Sequence, residues 1–305
     1  MISPSMITTL RKKCSDYDII HIHHPDPMAA LALYFSNYKG KVVLHWHSDI
    51  LKQKFILKFY IPLQTWLIKR ADVIIGTSPK YLTESPFLQR EDLNKVSVPI
   101  GITPIITNQE KNNKIKEKYK NKKIIFSLGR LVEYKGFSYL IKAAKYLPND
   151  YIILIGGSGP LKQELQNLIY NEKLETKVKL LGKISDEDLP AYYGSCDIYV
   201  LSSIWKTEAF GIVQIEAMSC GKPIIATKIE GSGVDWVNQN EVSGINVKPK
   251  SPLDIANGIL KISSDKTKYN NYSKGAYDRY LSLFTKDKMI NKVITIYSNL
   301  LKDKI

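Results

Sequence analysis

The sequence predicts an α/β protein made of two doubly wound parallel-sheet domains. Three observations predict it. Short apolar runs bounded by turn residues alternate with helical patterns along most of the chain, as repeated βα units require. The alternation occurs twice, on either side of a polar, lysine-rich stretch at 107–123 (TNQEKNNKIKEKYKNKK) that has no apolar face and reads as a linker with an exposed helix. At 305 residues the chain is also long for one core, since roughly 150 residues per domain is usual.

In the first series, 3–14 reads as a helix, 18–23 (DIIHIH) as a strand, 27–36 as a helix and 41–45 (KVVLH) as a strand. The amphipathic segment 51–70 follows, with Pro62 expected to break or kink it. A strand at 72–76, a helix capped by Ser78 with Pro79 behind it, and a strand at 95–98 complete the series. The second series has strands at 124–128, 151–155, 178–181, 198–201, 223–226 and 244–247. The expected boundaries are 1–107, a linker at 108–123, 124–283, and a helix at 284–305 returning to the first domain. Ligands of such sheets gather at the carboxyl ends of the strands, so the loops there hold the candidates.

Composition narrows the function. The hydrophobic content is 44% with 17 Gly and 14 Pro, ordinary for a globular chain, and no apolar run approaches the ~20 residues of a membrane span. A soluble or peripheral, cytoplasmic protein is expected, because MISPSMITTLRKKC at the start has basic residues but no apolar core of a signal peptide. Cys14, Cys196 and Cys220 are too few and too scattered for a disulfide frame or a zinc set. The net charge of +15 invites nucleic acid, an anionic membrane or anionic small molecules. Lysines spread along the chain without the aromatic and basic strand pattern of an RNA-binding sheet, so no nucleic acid partner is expected.

The stretch 205–223 (WKTEAFGIVQIEAMSCGKP) carries the strongest chemical pattern. After the strand at 198–201, a helix over 211–219 places Ile212, Ile215 and Ser219 on one face, with Gly221 and Pro223 as stop signals. Glu208 then lies in the loop, and Glu216 about 12 Å further along the helix at 1.5 Å per residue. Two carboxylates so placed cannot share one proton transfer; they can grip the ends of an elongated ligand. The helix start at Gly211 is a natural anion site, so a diphosphate fits between a ribose at Glu216 and a sugar ring at Glu208. The plain alternative is a surface helix with two solvated glutamates.

Other candidates sit at strand ends. Gly129 and Arg130 close one strand, and Lys135-Gly136 opens the next helix, so both cations can meet a diphosphate; a solvated Lys135 and an Arg130 paired with some acid are the alternative. Gly156, Gly157, Ser158 and Gly159 form a glycine loop after a strand, where a tight turn without a ligand needs the same residues. His47 ends a strand, with His45 the competing choice. His21 and His23 share a face, while His24 starts the loop; no spaced acidic ligand set accompanies them, so no metal is expected. Asp186-Glu187-Asp188 looks like a metal motif, but Ser185 three residues before Asp188 makes it a capping box.

Glu208 to Glu216, EAFGIVQIE, resembles the E-x7-E motif of the retaining glycosyltransferases of family 4, group 1, and AMSCGKPIIAT at 217–227 continues that pattern. The match resumes at FSLGRL (126–131) with Lys135-Gly136, at IGGSGP (155–160) and at VKLLG (178–182), covering nearly all of 17–265. The resemblance implies a GT-B fold, two Rossmann-like domains facing across a cleft. It implies catalytic roles for Arg130, Lys135, Glu208 and His47, and donor contacts for Gly129, Gly157, Ser158, Gly159, Phe210, Gly211, Ile212 and Glu216. The donor would be a nucleotide diphosphate sugar, with no cofactor or metal, and the acceptor lipid-linked or a saccharide. Family members normally open with a further βαβ stretch, so the first domain is expected to be incomplete. GSGV at 231–234 replaces a Gly-x-x-Glu stretch and tilts the donor towards GDP-mannose and the setting towards surface polysaccharide. A nucleotide-sugar 2-epimerase of the same fold and a non-catalytic partner subunit remain as alternatives. Finally, 51–70 (LKQKFILKFYIPLQTWLIKR) interleaves Lys52, Lys54, Lys58, Lys69 and Arg70 with Phe55, Phe59, Tyr60 and Trp66, the composition of a helix on an anionic bilayer. A helix packed on its own domain is the alternative.

Overall fold

A computed structural model describes residues 3–50 and 54–302, with side chains for all of these except 54–57. The chain divides into two units, residues 1–100 with 287–305, and residues 101–286. Each of the ten strands read from the sequence is present, with ends within one residue of expectation.

The first unit holds β1 (Ile19–His24), β2 (Lys41–Trp46), β3 (Val73–Gly76) and β4 (Lys95–Ser97), all parallel, in the order β1-β2-β3-β4. Val42, Val43, Leu44, Ile74 and Ile75 are buried, because a parallel sheet is covered on both faces and its inner strands read as unbroken apolar runs. One cover is the C-terminal helix Lys286–Lys302, whose Ile296 and Leu300 join Val43, Val73, Ile75 and Val98 in one cluster. The helix Pro27–Ser36 starts where Asp26 accepts hydrogen bonds from the Met28 and Ala29 amides.

The basic helix departs from expectation. It runs over Lys54–Arg70 straight through Pro62, which lies on the exposed side with Lys58 and Phe59. The carbonyl of residue 58, whose partner amide proline lacks, is therefore on the solvent side, where water can satisfy it. Tyr60, Gln64, Leu67 and Ile68 form the buried face. Arg70 also turns inward, donating to the Tyr38 carbonyl at 3.2 Å and the Gly40 carbonyl at 2.6 Å. Trp66 is half-buried, with its ring edge-on to Tyr34 at 4.9 Å. Lys52, and the side chains of Lys54 and Phe55, fall outside what the structure describes.

The second unit contains β5 (Lys123–Leu128), β6 (Tyr151–Gly156), β7 (Val178–Gly182), β8 (Ile198–Leu201), β9 (Ile224–Thr227) and β10 (Gly244–Val247). All are parallel in the order β10-β9-β8-β5-β6-β7. The chain moves outward from β5 to β7, then returns to the other side of β5 and moves outward again from β8 to β10. The strand order reverses between β5 and β8, and in an open α/β sheet that switch point leaves a crevice at the carboxyl ends.

The stretch 108–123 is not a free linker. Its helix Gln109–Lys118 belongs to the second unit and docks through polar groups. Asn112 is buried beside Gly194, where an added Cβ would come within 2.6 Å of its amide. Lys111 reaches Glu187 at 2.7 Å and Asp188 at 2.9 Å. The helix itself was expected, but as an exposed one: sequence periodicity looks for an apolar face and overlooks docking of this kind. The Ser185 hydroxyl donates to the Asp188 carboxylate at 2.8 Å and accepts from the Asp188 amide, so one of the two bonds of the expected capping box forms, in the turn that leads into the helix Leu189–Ser195.

Candidate active site

The candidates from the second unit converge on the carboxyl ends of β5, β6 and β8. Gly129 and Arg130 follow β5, Gly157 to Gly159 follow β6, and Glu208 lies between β8 and the helix Ile212–Ser219. Lys135 sits in the short 3-10 turn Glu133–Lys135 and meets Glu208 at 2.5 Å. Their side chains are only 11% and 12% exposed. Ser203 donates to the same Glu208 oxygen at 2.8 Å, so the carboxylate has two fixed donors.

The backbone explains why this pair forms. Gly136, with φ +65°, lies against the Ser202 carbonyl, which a Cβ would approach to 2.2 Å. The Ser202 hydroxyl donates to the Lys135 carbonyl at 2.9 Å, and the Ile204 amide to the Tyr134 carbonyl at 2.8 Å. The loop after β5 is thus tied to the loop after β8. On the other side, Ser232 donates to the Glu208 carbonyl at 2.5 Å and the Gly233 amide to the Ala209 carbonyl at 2.9 Å. The GSG stretch at 231–233 holds the Glu208 loop from below.

Gly211 caps the Ile212–Ser219 helix at φ +76°, where an added Cβ would lie 2.7 Å from the Leu201 side chain. Ile212 is exposed at that helix start, while Ile215 is buried, so the single apolar face read from the sequence splits. Phe210 is buried with its ring edge-on to Phe284 at 5.9 Å; its side chain serves packing, which leaves its backbone as what it can offer a ligand. Glu216 accepts from the hydroxyl of buried Tyr193 at 2.5 Å, and burial raises its pKa.

The glycine loop is explained first by packing. Gly157, at φ +133°, sits where a Cβ would come 1.8 Å from the Gly129 carbonyl, and its amide donates to Gly182 at 2.7 Å. The Leu131 amide donates to the Ser158 carbonyl at 2.9 Å. These contacts fix the segment 129–131, and with it Arg130, whose exposed side chain makes no ion pair among the described residues. A cavity of about 790 Å³ beside Lys114, Lys116, Tyr119 and Lys120 lies elsewhere. It is also lined by Ile124 and Asp197, at the amino ends of β5 and β8, away from the crevice.

His47 belongs to the first unit. It lies just past β2, and its Nε2 is 2.7 Å from Nδ1 of His23. Burial, then the neighbouring imidazoles, lower the pKa of His21 to about 4, His45 to about 3 and His47 to about 4. His24 ends β1 instead of starting the loop, stacked on Trp46 at 3.7 Å.

The family model described as Glycosyl transferases group 1 matches residues 108–279, and the model for Glycosyltransferase Family 4 matches residues 2–84. The chain belongs to the group 1 glycosyltransferases. The transferase is 29% identical over 95% of its length to O-antigen chain mannosyltransferase C of Escherichia coli, covering 77% of that protein. It is 28% identical over 93% to D-rhamnosyltransferase WbpZ of Pseudomonas aeruginosa, covering 74% of it. Among solved structures, Anabaena Alr3699/HepE in complex with UDP superposes with a TM-score of 0.83 at 22% identity, over 97% of this chain and 84% of that one. At that identity the likeness is one of fold, and the transferase has the two parallel α/β domains of the GT-B architecture.

Sequence reading had not singled out Ser203 or Tyr193, and had noted Ser232 only as part of the GSGV stretch; these are the groups that orient the two glutamates and the loop between them. Ser203 and Ser232 follow β8 and β9 at their carboxyl ends, which is where a search by strand end would have found them. Tyr193 comes from the helix Leu189–Ser195 and has no local signal.

Proposed function

We propose that the transferase moves a hexose from a nucleotide diphosphate sugar to a lipid-linked or saccharide acceptor with retention of configuration, in surface-polysaccharide assembly. The observation that carries this reading is the enclosed Lys135–Glu208 pair beside the Gly211 helix start at the β5/β8 switch. Departure of the diphosphate is the demanding step. Arg130, Lys135 and the helix start stabilise the charge that develops on it; Glu208 orients the sugar and Glu216 holds the ribose. For His47 the family resemblance carries the assignment of a sugar contact. The donor is assigned as GDP-mannose; the mannosyltransferase name of one relative supports the sugar, while the UDP bound by Alr3699/HepE makes UDP-sugars the comparison. We also read the transferase as peripheral on an anionic, cytoplasmic membrane face.

The test is product analysis with GDP-mannose and UDP-glucose offered to a lipid-linked saccharide, the anomeric configuration read by NMR. Sugar transfer with retention is expected; epimerised donor without transfer, or no use of either donor, overturns the proposal. Arg130→Ala should lower turnover by roughly 10²–10³-fold without changing Tm, because its side chain is exposed. Lys135→Ala should lower both, since it leaves Glu208 enclosed without its cation, a change worth about 3–5 kcal/mol when such a pair is fully buried. Unchanged turnover in Arg130→Ala sinks its assignment.

A further inference from the structure

All five histidines of the chain fall between residues 21 and 47, and four form one patch. His21 and His23 project from the same face of β1, and His45 stands opposite His23 in the parallel register with β2. The rings of His21 and His23 lie 4.8 Å apart, those of His23 and His45 5.2 Å, and those of His21 and His45 5.4 Å. One ligand nitrogen from each of these three residues lies within 4.8 Å of the others.

Two features make this more than crowding. His45 is 7% exposed, yet neither of its ring nitrogens has a hydrogen-bond partner, and Nε2 of His21 is also buried without one. A neutral imidazole always carries one N–H and one lone pair, and leaving such buried polar groups unmatched is unfavourable. The outer nitrogens are held: Nδ1 of His21 meets the Tyr297 hydroxyl at 2.5 Å, and Nδ1 of His23 meets Nε2 of His47 at 2.7 Å. Partners on the second ring nitrogen are what orient imidazoles as metal ligands.

We propose that His21, His23 and His45 bind one late first-row divalent cation, with zinc as the reference ion. Bonds of about 2.0–2.1 Å place the nitrogens of a tetrahedral site roughly 3.4 Å apart. The three rings are stacked with their planes within 24° of one another, so binding requires them to rotate about χ1 and the soft χ2 until their lone pairs converge, as well as to close by up to about 1.4 Å. Three imidazoles without a carboxylate suit zinc, nickel or copper and disfavour magnesium and calcium. The expectation of no metal rested on the lack of a spaced acidic ligand set; the third ligand here is a histidine, from the neighbouring strand. Bound metal would pin β1 to β2 and, through Tyr297, steady the C-terminal helix Lys286–Lys302.

The test is equilibrium dialysis of the untagged full chain against zinc, since an affinity tag of histidines would mask the site. One equivalent per chain is expected, with a rise in Tm on adding zinc and none on adding magnesium. His23→Gln, at an exposed position that the fold does not depend on, should weaken zinc binding at least 10-fold and abolish the rise in Tm; His45→Gln should do the same. Cys220→Ser should bind as the wild type does. Less than one equivalent on the wild type, wild-type affinity in His23→Gln, or loss in Cys220→Ser, which would assign the metal to a thiol, each overturns the proposal.

Discussion

Burial raises the pKa of Glu216 above the ordinary glutamate value of 4.5, and the hydroxyl of Tyr193, 2.5 Å away, opposes that shift by bonding the ionised form. An acid whose folded pKa is raised holds its proton more tightly in the folded chain. Its favourable contribution is fully present below pH 4.5 and is lost as pH rises through the folded value. The wild type should therefore lose ground to Glu216→Gln as pH rises above 4.5, by urea midpoints taken at steps from pH 4 to 7.5. A constant difference across that range would mean that burial does not govern this carboxyl. The donor reading gives nucleotide affinity the opposite sign, because the ribose hydroxyls are gripped by the ionised form, so stability and binding should move in opposite directions over the same pH window. Glu208 is treated differently by its surroundings. Lys135 and Ser203 hold its carboxylate from two sides, so it is oriented by charge and Glu216 by a neutral phenol.

The elements that carry these residues depend on a few backbone positions. Gly157 is tightly constrained: a Cβ there would lie 1.8 Å from the Gly129 backbone carbonyl, at a φ of +133°. Gly157→Ala should cost roughly 1–3 kcal/mol of stability from the strained conformation alone and, by displacing 129–131, should reduce transfer although Arg130 itself is untouched. Thermal unfolding and turnover measured together check this; a variant with wild-type values in both would mean the loop can relax. Strand runs such as Ile124-Ile125-Phe126 and the Ser78-Pro79 helix start were legible because each is specified by neighbours in sequence. What was not legible depends on groups distant in sequence: Asn112 finding room only because residue 194 is glycine, Pro62 tolerated because its side of the helix is wet, Tyr193 reaching Glu216 from the preceding helix. The candidate site follows the same division. Glu208, Gly211 and Lys135 stand out by motif, while Phe210 sits inside the motif and is used for packing.

At the scale of the whole molecule the net charge of +15 asks for a partner, and the first unit offers a surface that fits one. No helix among the described residues is long and apolar enough to cross a membrane. Of the residues expected to face lipid, Tyr60 and Arg70 turn inward and Trp66 is half-buried, but Phe59 is 76% exposed, with Ile61, Lys58 and Lys69 also outward. The Tyr34–Trp66 contact brings the helix Pro27–Ser36 alongside, adding exposed Tyr34 and Phe35. Exposed aromatics among lysines suit shallow insertion at an anionic interface, where each lysine contributes about 1 kcal/mol. Binding should therefore need both charge and ring. In co-sedimentation, anionic vesicles should retain the protein and neutral ones should not, and 0.5 M salt, at which the screening length is about 4 Å, should release most of it. Phe59→Ser should weaken binding far more than it lowers Tm, because Phe59 is 76% exposed. Equal retention by both kinds of vesicle, or indifference to salt, would reduce the basic face to a means of keeping the chain soluble.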